Sequence, residues 1–268
     1  MKKTLSLLVA VVLVLGMMSM GISANLGKSY TAPYGTPVVD GTVDPVWDAA
    51  AWTEIDLPYD GNPDKTVFSA RAKLLHDDNL VYVLVEATDA TLDPDGDCFE
   101  IYFDEDACKD VAYCEVSTQL QLRYDGTITK GTNSIGDIDM VKDYIITTSE
   151  NGFLLEFSIA LMNGIPAPDK AIGLEFMANN NDEDGAFIDA LRWNVDTANG
   201  DTPPYIAVDN FGDLFFAAYV EPVVDEPAAD EPTVDAPAAD TTPVTADAGI
   251  VVAAVVMAAA AAVVLKKH

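Results

Sequence analysis

Carboxylates dominate the side chains of this sequence that could do chemistry. Glu100 stands in Cys98-Phe-Glu-Ile-Tyr-Phe-Asp104, where strict alternation turns Phe99, Ile101 and Phe103 one way and Cys98, Glu100, Tyr102 and Asp104 the other. A carboxylate between half-buried neighbours needs a partner, so Glu100 is the first candidate for a binding role; pairing with a lysine on an exposed strand face is the ordinary alternative. Asp89, Asp93, Asp95 and Asp97, spaced by Pro and Gly, form an acidic loop ahead of it, and Asn179-Asn-Asn-Asp-Glu-Asp-Gly185 gathers oxygen donors before a glycine. Calcium is held by such oxygens, which makes Asp89, Asp97, Asp182 and Asp184 candidate ligands, against a reading of both segments as solvated acidic loops. The helix-loop-helix spacing with a closing Glu is missing, so an EF-hand is not indicated.

Other reactive types are sparse. His76 sits in His76-Asp-Asp-Asn79 between two apolar runs and reads as a solvated turn residue with no second histidine near it. Cys98, Cys108 and Cys114 make an odd count, so no complete disulfide framework exists; Cys108 and Cys114 could close a small loop, or all three are ordinary thiols. No CxxC or Cys/His spacing signals zinc. A glycosidase needs two carboxylates facing each other across a cleft, and in so acidic a chain some pair always meets the distance, so acid count alone does not indicate hydrolysis. Haem held by Met177 with His76 or a lysine opposite is a further minor reading.

These groups must be positioned by strands. Apolar runs are read at Val67 to Leu75, Leu80 to Thr88, Cys98 to Asp104, Thr118 to Tyr124, Tyr144 to Thr148, Phe153 to Ala160, Ala171 to Asn179, Ala186 to Trp193 and Gly212 to Tyr219. Turn signals such as Asp125-Gly126, Asn151-Gly152 and Pro166-Ala-Pro168 separate them. Around nine short strands with few helical windows predict an all-β protein, an antiparallel β-sandwich of jelly-roll type, over residues 25–219. In the second run Val81, Val83 and Val85 oppose Tyr82, Leu84 and Glu86, both faces largely apolar, so that hairpin is central. Before it, Asp40-Gly41 marks a tight turn and Asp44-Pro45 opens a helical turn, with Asp as N-cap, that packs Trp47 and Trp52 inward as a plug on one end of the sandwich; ligand platforms are the alternative for these rings.

Fourteen Lys plus Arg stand against 44 Asp plus Glu, a formal charge of −30. Nucleic acid and anionic lipid surfaces are excluded as partners, while cations and neutral ligands are favoured. Residues 1–24 have the basic start, apolar run Leu5 to Leu15 and small-residue end of a secretory signal peptide. From Glu221 a five-residue repeat, Glu-Pro-Val-Val-Asp and its variants, blocks helix and sheet and reads as an extended acidic stalk over 220–247, on the order of 80 Å long in polyproline form. Residues 248–268 carry an apolar run about 25 Å long as a helix, then Lys266 and Lys267, a short transmembrane anchor with its end in the cytoplasm. The sandwich is thus expected to stand as a monomeric domain outside the cell, at the membrane or wall. The tail resembles the hydrophobic end of Gram-positive sorting signals, without their Leu-Pro-any-Thr-Gly motif.

At Pro37-Val-Val-Asp-Gly-Thr-Val-Asp-Pro-Val-Trp47, Leu75 to Asp89, Asp97-Cys-Phe-Glu-Ile-Tyr-Phe-Asp104 and Asn210-Phe-Gly-Asp-Leu214 the chain resembles the family 9 carbohydrate-binding modules appended to xylanases. The resemblance covers residues 36 to 217. It implies a sandwich with structural calcium and a pocket that holds the reducing end of a sugar between two tryptophans, in service of carbohydrate catabolism. Glu100 and Arg123 match the residues that hydrogen-bond sugar hydroxyls, and Trp193, Asn199 and Tyr205 complete the expected sugar-binding set. The chain departs from the pattern in three places. Asp93-Pro94-Asp95 has no aromatic where the first tryptophan falls, Met177 stands for a glutamine, and only Tyr205 offers a ring after Trp193. Surface carbohydrate capture without catalysis is the leading expectation; a structural or adhesive protein with a lost sugar site is the alternative.

Overall fold

The computed structural model describes residues 27–59, 68–89, 92–93, 96–149, 152–164, 166–182 and 184–221. The signal peptide expected over 1–24, the stalk beyond Glu221 and the anchor expected over 248–268 lie outside them. Among the described residues no helix is long and apolar enough to cross a membrane.

Among the described residues thirteen strands follow one another: β1 Ser29–Ala32, β2 Thr53–Ile55, β3 Leu57–Pro58, β4 Phe68–His76, β5 Val81–Asp89, β6 Cys98–Asp104, β7 Ser117–Arg123, β8 Ile128–Lys130, β9 Val141–Ser149, β10 Gly152–Ile159, β11 Ile172–Asn181, β12 Phe187–Arg192 and β13 Gly212–Phe216. They form two sheets. One runs β2-β4-β5-β10-β9; the other runs β1-β13-β11-β6-β7-β8, with β12 and then β3 added beside β11. Ten-residue β11 serves two partners on one edge, β13 along Ile172–Leu174 and β12 along Met177–Asn181. The expected antiparallel arrangement holds except at the rim, where β1 runs parallel to β13, so the larger sheet is mixed. The reason is local. β1 precedes the first hairpin and is too short to carry a pattern the sequence could show.

The core lies between the sheets. Phe99, Ile101 and Phe103 of β6 and Leu174 and Phe176 of β11 pack with Val81, Val83, Val85, Leu155 and Phe157 from the smaller sheet, all with no exposed surface. Burial of each such side chain contributes about 1.5–3 kcal/mol. Trp193 joins this core: it packs against Phe176 at 5.8 Å and donates from Nε1 to Thr53 Oγ1 at 2.7 Å. A Cβ on Gly212 would come within 2.4 Å of the Trp193 ring and 2.6 Å of Lys28 O, so β13 crosses the indole only as glycine.

Two N-terminal expectations are corrected. Trp47 is buried, but on the outer face of the smaller sheet beside Tyr82 and Leu84 rather than over an end of the sandwich. Glu156 draws it there. Its Oε1 accepts from Trp47 Nε1 at 2.9 Å, and its Oε2 accepts from the backbone of Asp40 and Gly41. Asp44 stands at the N-cap of the turn Pro45–Ala49 without capping it, because its carboxylate accepts from Val38 N instead. Trp52 is half-buried, with the Arg71 guanidinium 4.3 Å from its ring.

His76 is not a solvated turn residue. It is 2% exposed, the last residue of β4, with Nε2 hydrogen-bonded to Ala217 O at 2.8 Å and Tyr34 and Phe216 edge-on to its ring. The Asp77 side chain closes the turn in its place, accepting from the backbone of Asn79 and Leu80. His76 and Met177 lie on different sheets, Met177 on the outer face of the larger one, so they form no axial pair for haem. Cys108 and Cys114 form a disulfide, and Cys98 is a buried thiol.

Candidate functional site

The alternation that sends Phe99, Ile101 and Phe103 into the core leaves Cys98, Glu100 and Tyr102 on the outer face of the larger sheet, and the register builds rows across them. Glu100 lies between Gln121 of β7 and Met177 of β11, Tyr102 between Gln119 and Glu175, and Cys98 between Arg123 and Asn179. The rows continue outward to Thr129 beside Gln121, Arg192 beside Met177 and Ala190 beside Asn179. Alternation in Gln119-Leu-Gln-Leu122 is what sets both glutamines on this face.

Glu100 is the centre. It is 2% exposed, and every acceptor direction of its carboxylate is filled. Oε2 accepts from Tyr102 Oη at 2.6 Å and Gln119 Nε2 at 2.7 Å; Oε1 accepts from Asn179 Nδ2 at 2.7 Å and Gln121 Nε2 at 3.1 Å. Such an acceptor-only group dictates how its amide partners turn: their N–H ends face it and their carbonyls face away. Asn179 Oδ1 and Gln119 Oε1 accept no hydrogen bond from the described residues. A Cβ on Gly131 would fall 1.8 Å from Gln119 Oε1, so that position keeps the amide's approach clear. Burial and the Glu100 charge raise the phenols of Tyr102 and Tyr113 well above their ordinary range, which keeps both protonated as donors.

Aromatic rings wall this polar floor. Tyr59 and Tyr205 share a hydrogen bond between their hydroxyls at 2.7 Å, Phe187 stands edge-on to Tyr59 at 6.2 Å, and the Arg192 guanidinium lies 4.7 Å from the Tyr59 ring. A cavity of about 380 Å³ opens between Tyr59, Phe187, Tyr205, Met177, Ala190 and Asn179. On the other side of Tyr205 a second concavity, about 300 Å³, is lined among others by Gln119, Gln121, Lys130 and Asn133. The loop carrying Tyr205 is pinned by Tyr113 Oη to Pro204 O at 2.7 Å and Asn133 Nδ2 to Tyr205 O at 3.0 Å.

Of the residues expected to bind sugar, the fold brings Glu100 and Tyr205 to this centre and sets Arg123 on the same face, across from Cys98. Two are placed elsewhere. Trp193 is enclosed in the core with no exposed surface, because its backbone follows β12 onto the inner side of the sheet. Asn199 is exposed on the turn Thr197–Asn199, where both its backbone and side chain hydrogen-bond Asp196. The sequence reading passed over Tyr59, Phe187, Gln119, Gln121 and Asn179. The glutamine alternation was a usable signal; the two rings sit beside short β3 and at the start of β12, where no pattern marks them.

The acidic loops meet at one point. Asp89 and Asp97 are buried at 1% and 0% exposure, and Asp97 accepts from Asp93 N and Asn181 N, each at 2.6 Å. Burial above all, with the nearby Asp89 charge, pushes the Asp97 carboxyl up to about 7. Asp182 and Asp184 do not join them: no three of these four carboxylates converge on a common point, and Asp182 Oδ1 instead accepts from Asp184 N and Ala186 N.

Residues 39–217 match the family model described as carbohydrate family 9 binding domain-like. Endo-1,4-beta-xylanase A of Thermotoga maritima is 30% identical over 190 residues, 69% of this chain but 17% of the xylanase. Exoglucanase XynX of Acetivibrio thermocellus is 30% identical over 179 residues, 61% of this chain and 15% of the exoglucanase. The chain therefore spans less than a fifth of these curated relatives. Among solved structures, a family 9 carbohydrate-binding module from Caldicellulosiruptor kristjanssonii in complex with cellotriose superposes with a TM-score of 0.62 at 25% identity, covering 75% of this chain and 100% of that one. The module in complex with glucose gives 0.64 at 24% identity over 72% and 98%.

Proposed function

The chain belongs to the carbohydrate family 9 binding domain-like family, and from that premise we propose that it captures β-linked gluco- or xylo-oligosaccharides, without catalysis, on the outer face of its larger sheet. The observation that carries this is the pairing of a saturated Glu100 hub with a ring-walled cavity above it. A pyranose presents apolar C–H faces and an equatorial belt of hydroxyls. Tyr59, Phe187 and Tyr205 suit the former, and the Asn179 amide in that cavity, with Gln119 and Gln121 in the concavity beyond Tyr205, suits the latter. The relatives solved with cellotriose and glucose, and those that are xylanases, support this ligand class. Hydrolysis finds no support in the geometry around the Glu100 hub, since the buried Glu100 and Glu175 carboxylates have their oxygens committed to protein donors. Titration of the full chain with glucose, cellobiose, cellotriose and xylobiose is expected to give saturable one-to-one heat with at least one of them. Silence from all four would replace this reading with that of a structural or adhesive surface protein.

Asp89 and Asp97 hold a structural calcium ion in this reading, with backbone oxygens of the adjoining loops completing the shell. Two neighbouring buried carboxylates, one of them pushed upward by burial first and by the other's charge after it, fit a cation between them. Calcium at a hundred times its Kd then stabilises the fold by about 2.7 kcal/mol, a rise of roughly 5–10 °C in Tm for a domain of this size. Chelation is expected to reverse it, and Asp97→Asn to remove the calcium response. A melting temperature indifferent to calcium in the wild type would overturn the assignment. In the same reading the module stands outside the cell, tethered to the membrane or wall, and holds polysaccharide for catabolism, which the leader, stalk and tail expected from the sequence support; sugar binding by intact cells, lost on truncation after residue 247, tests it.

A further inference from the structure

The turn that joins β6 to β7, on the far side of Tyr102 from the Glu100 hub, gathers a second set of ligand groups. Asp104, Asp106, Cys108 and Cys114 each place one ligand atom within 4.8 Å of the others. Asp104 is wholly buried; its Oδ2 accepts from Lys109 N at 2.9 Å, while its Oδ1 is enclosed with no hydrogen-bond partner. An unpartnered carboxylate oxygen in the protein interior is costly, and the residue that carries it belongs to the cluster. The chain goes out of its way to present the group: Ala107 and Lys109, on either side of Cys108, hold φ angles of 50° and 49°, a region non-glycine residues rarely occupy. Lys109 locks the turn to β13 through Gly212 O at 2.9 Å and Asp213 at 3.1 Å.

We infer that this turn is a redox-gated site for a divalent cation of zinc's class, held by the thiolates of Cys108 and Cys114 and the carboxylates of Asp104 and Asp106 when the disulfide is open. Two sulfurs and two carboxylate oxygens are a tetrahedral set for zinc, whereas thiolates repel selection of calcium or magnesium. Bonds of about 2.3 Å in tetrahedral array hold two sulfurs about 3.8 Å apart, a span that Cα atoms 6.9 Å apart accommodate. The spacing of Cys108 and Cys114 alone does not signal such a site; the fold supplies the other half from the end of β6. A dithiol reductant gives two electrons and two protons to the Cys108–Cys114 bond, becoming a disulfide itself, and the cation then displaces the two thiol protons. Without reduction the sulfurs are bonded to each other and only the two carboxylates remain, one of them exposed.

Cobalt(II) is the probe, because thiolate-to-cobalt charge transfer and the visible bands of a tetrahedral ion report the ligands directly. Full chain reduced with a phosphine and titrated with cobalt is expected to show both signatures at one ion per chain, with zinc displacing the cobalt. Oxidised chain is expected to bind at least about 100-fold more weakly and to show no thiolate band, as is the Cys108→Ser/Cys114→Ser double variant. Asp106→Asn, on the surface, is expected to weaken binding at least about tenfold. Absence of the thiolate band in the reduced chain, or equal binding by the oxidised chain, would overturn the proposal. Sugar titration of the same samples keeps this outcome separate from the fate of the Glu100 site.

Discussion

Glu100→Ala is expected to abolish sugar binding and to destabilise the fold at the same time. Its carboxylate holds four donors, Tyr102 Oη, Gln119 Nε2, Gln121 Nε2 and Asn179 Nδ2, all within 3.1 Å. Each buried donor left unmatched costs about 1–3 kcal/mol. Water reaches this face through the cavity and recovers part of that, so the net loss is about 2–4 kcal/mol. The amides released from Glu100 are then free to turn, and the outward carbonyls of Gln119 and Asn179 lose their preset direction. At least about a hundredfold loss of affinity follows, equivalent to about 2.7 kcal/mol. Glu100→Gln separates positioning from charge. It keeps the shape but brings two N–H groups into a ring of donors, so one or more amides must flip. About a 10–100-fold loss of affinity with a smaller drop in Tm is expected. Calorimetric titration and thermal melting on the same samples check both. A variant that loses binding while melting like the wild type would instead identify Glu100 as a direct sugar contact, as the sequence resemblance implied, and would remove the positioning role argued from its saturated oxygens.

That difference shows where sequence reading stops. Alternation in Cys98–Asp104 was enough to set Glu100 outward and Phe99 inward, because a period of two is a local property of the strand. The central hairpin, its face assignment and most strand limits were legible for the same reason. What Glu100 touches was not, since it depends on which strands flank β6, and Gln119, Gln121 and Asn179 arrive from 19 to 79 residues away. The same limit explains His76, Trp193 and the calcium set. His76 looked solvated because its turn is polar, yet Ala217 lies 141 residues on and closes over it. Trp193 looked like a sugar platform by position, but the strand crossing it contributes Gly212, whose missing Cβ leaves room for the indole in the core. Asp182 and Asp184 have the composition of a cation loop, and the Asp182 carboxylate is turned instead to the backbone N–H groups of Asp184 and Ala186 in its own turn.

Glu175→Ala is expected to cost on the order of 5 kcal/mol and to release the loop that carries Tyr205. Glu175 is fully buried on β11 and makes no ion pair among the described residues. Its Oε1 accepts from the backbone N–H of Phe176, Trp193 and Asn194, and its Oε2 from Asn194 and Val195. Residues 193–195 are where the chain leaves β12: Trp193 N still reaches Phe176 O at 3.1 Å, while for the amides of Asn194 and Val195 one carboxylate serves in place of a strand. Alanine removes the acceptor of the Phe176, Asn194 and Val195 N–H groups together, a loss comparable with the whole stability of many domains. Burial pushes the Glu175 carboxyl up to about 7, against an ordinary value near 4.5. The folded state therefore binds more protons than the unfolded state between those values. This group's contribution is full below about 4.5 and declines as pH rises to 7. Glu175→Gln, which cannot ionise, is accordingly expected to lie further below the wild type at pH 5 than at pH 8, a comparison in which every other titrating group cancels. Thermal melts of the three proteins across that range, with Trp193 emission reporting the core and sugar titration reporting the Tyr205 loop, make the test. A Glu175→Ala protein that melts within about 1 kcal/mol of wild type and still binds sugar would mean that residues 193–195 find other acceptors, and that the loop over the site is held without Glu175.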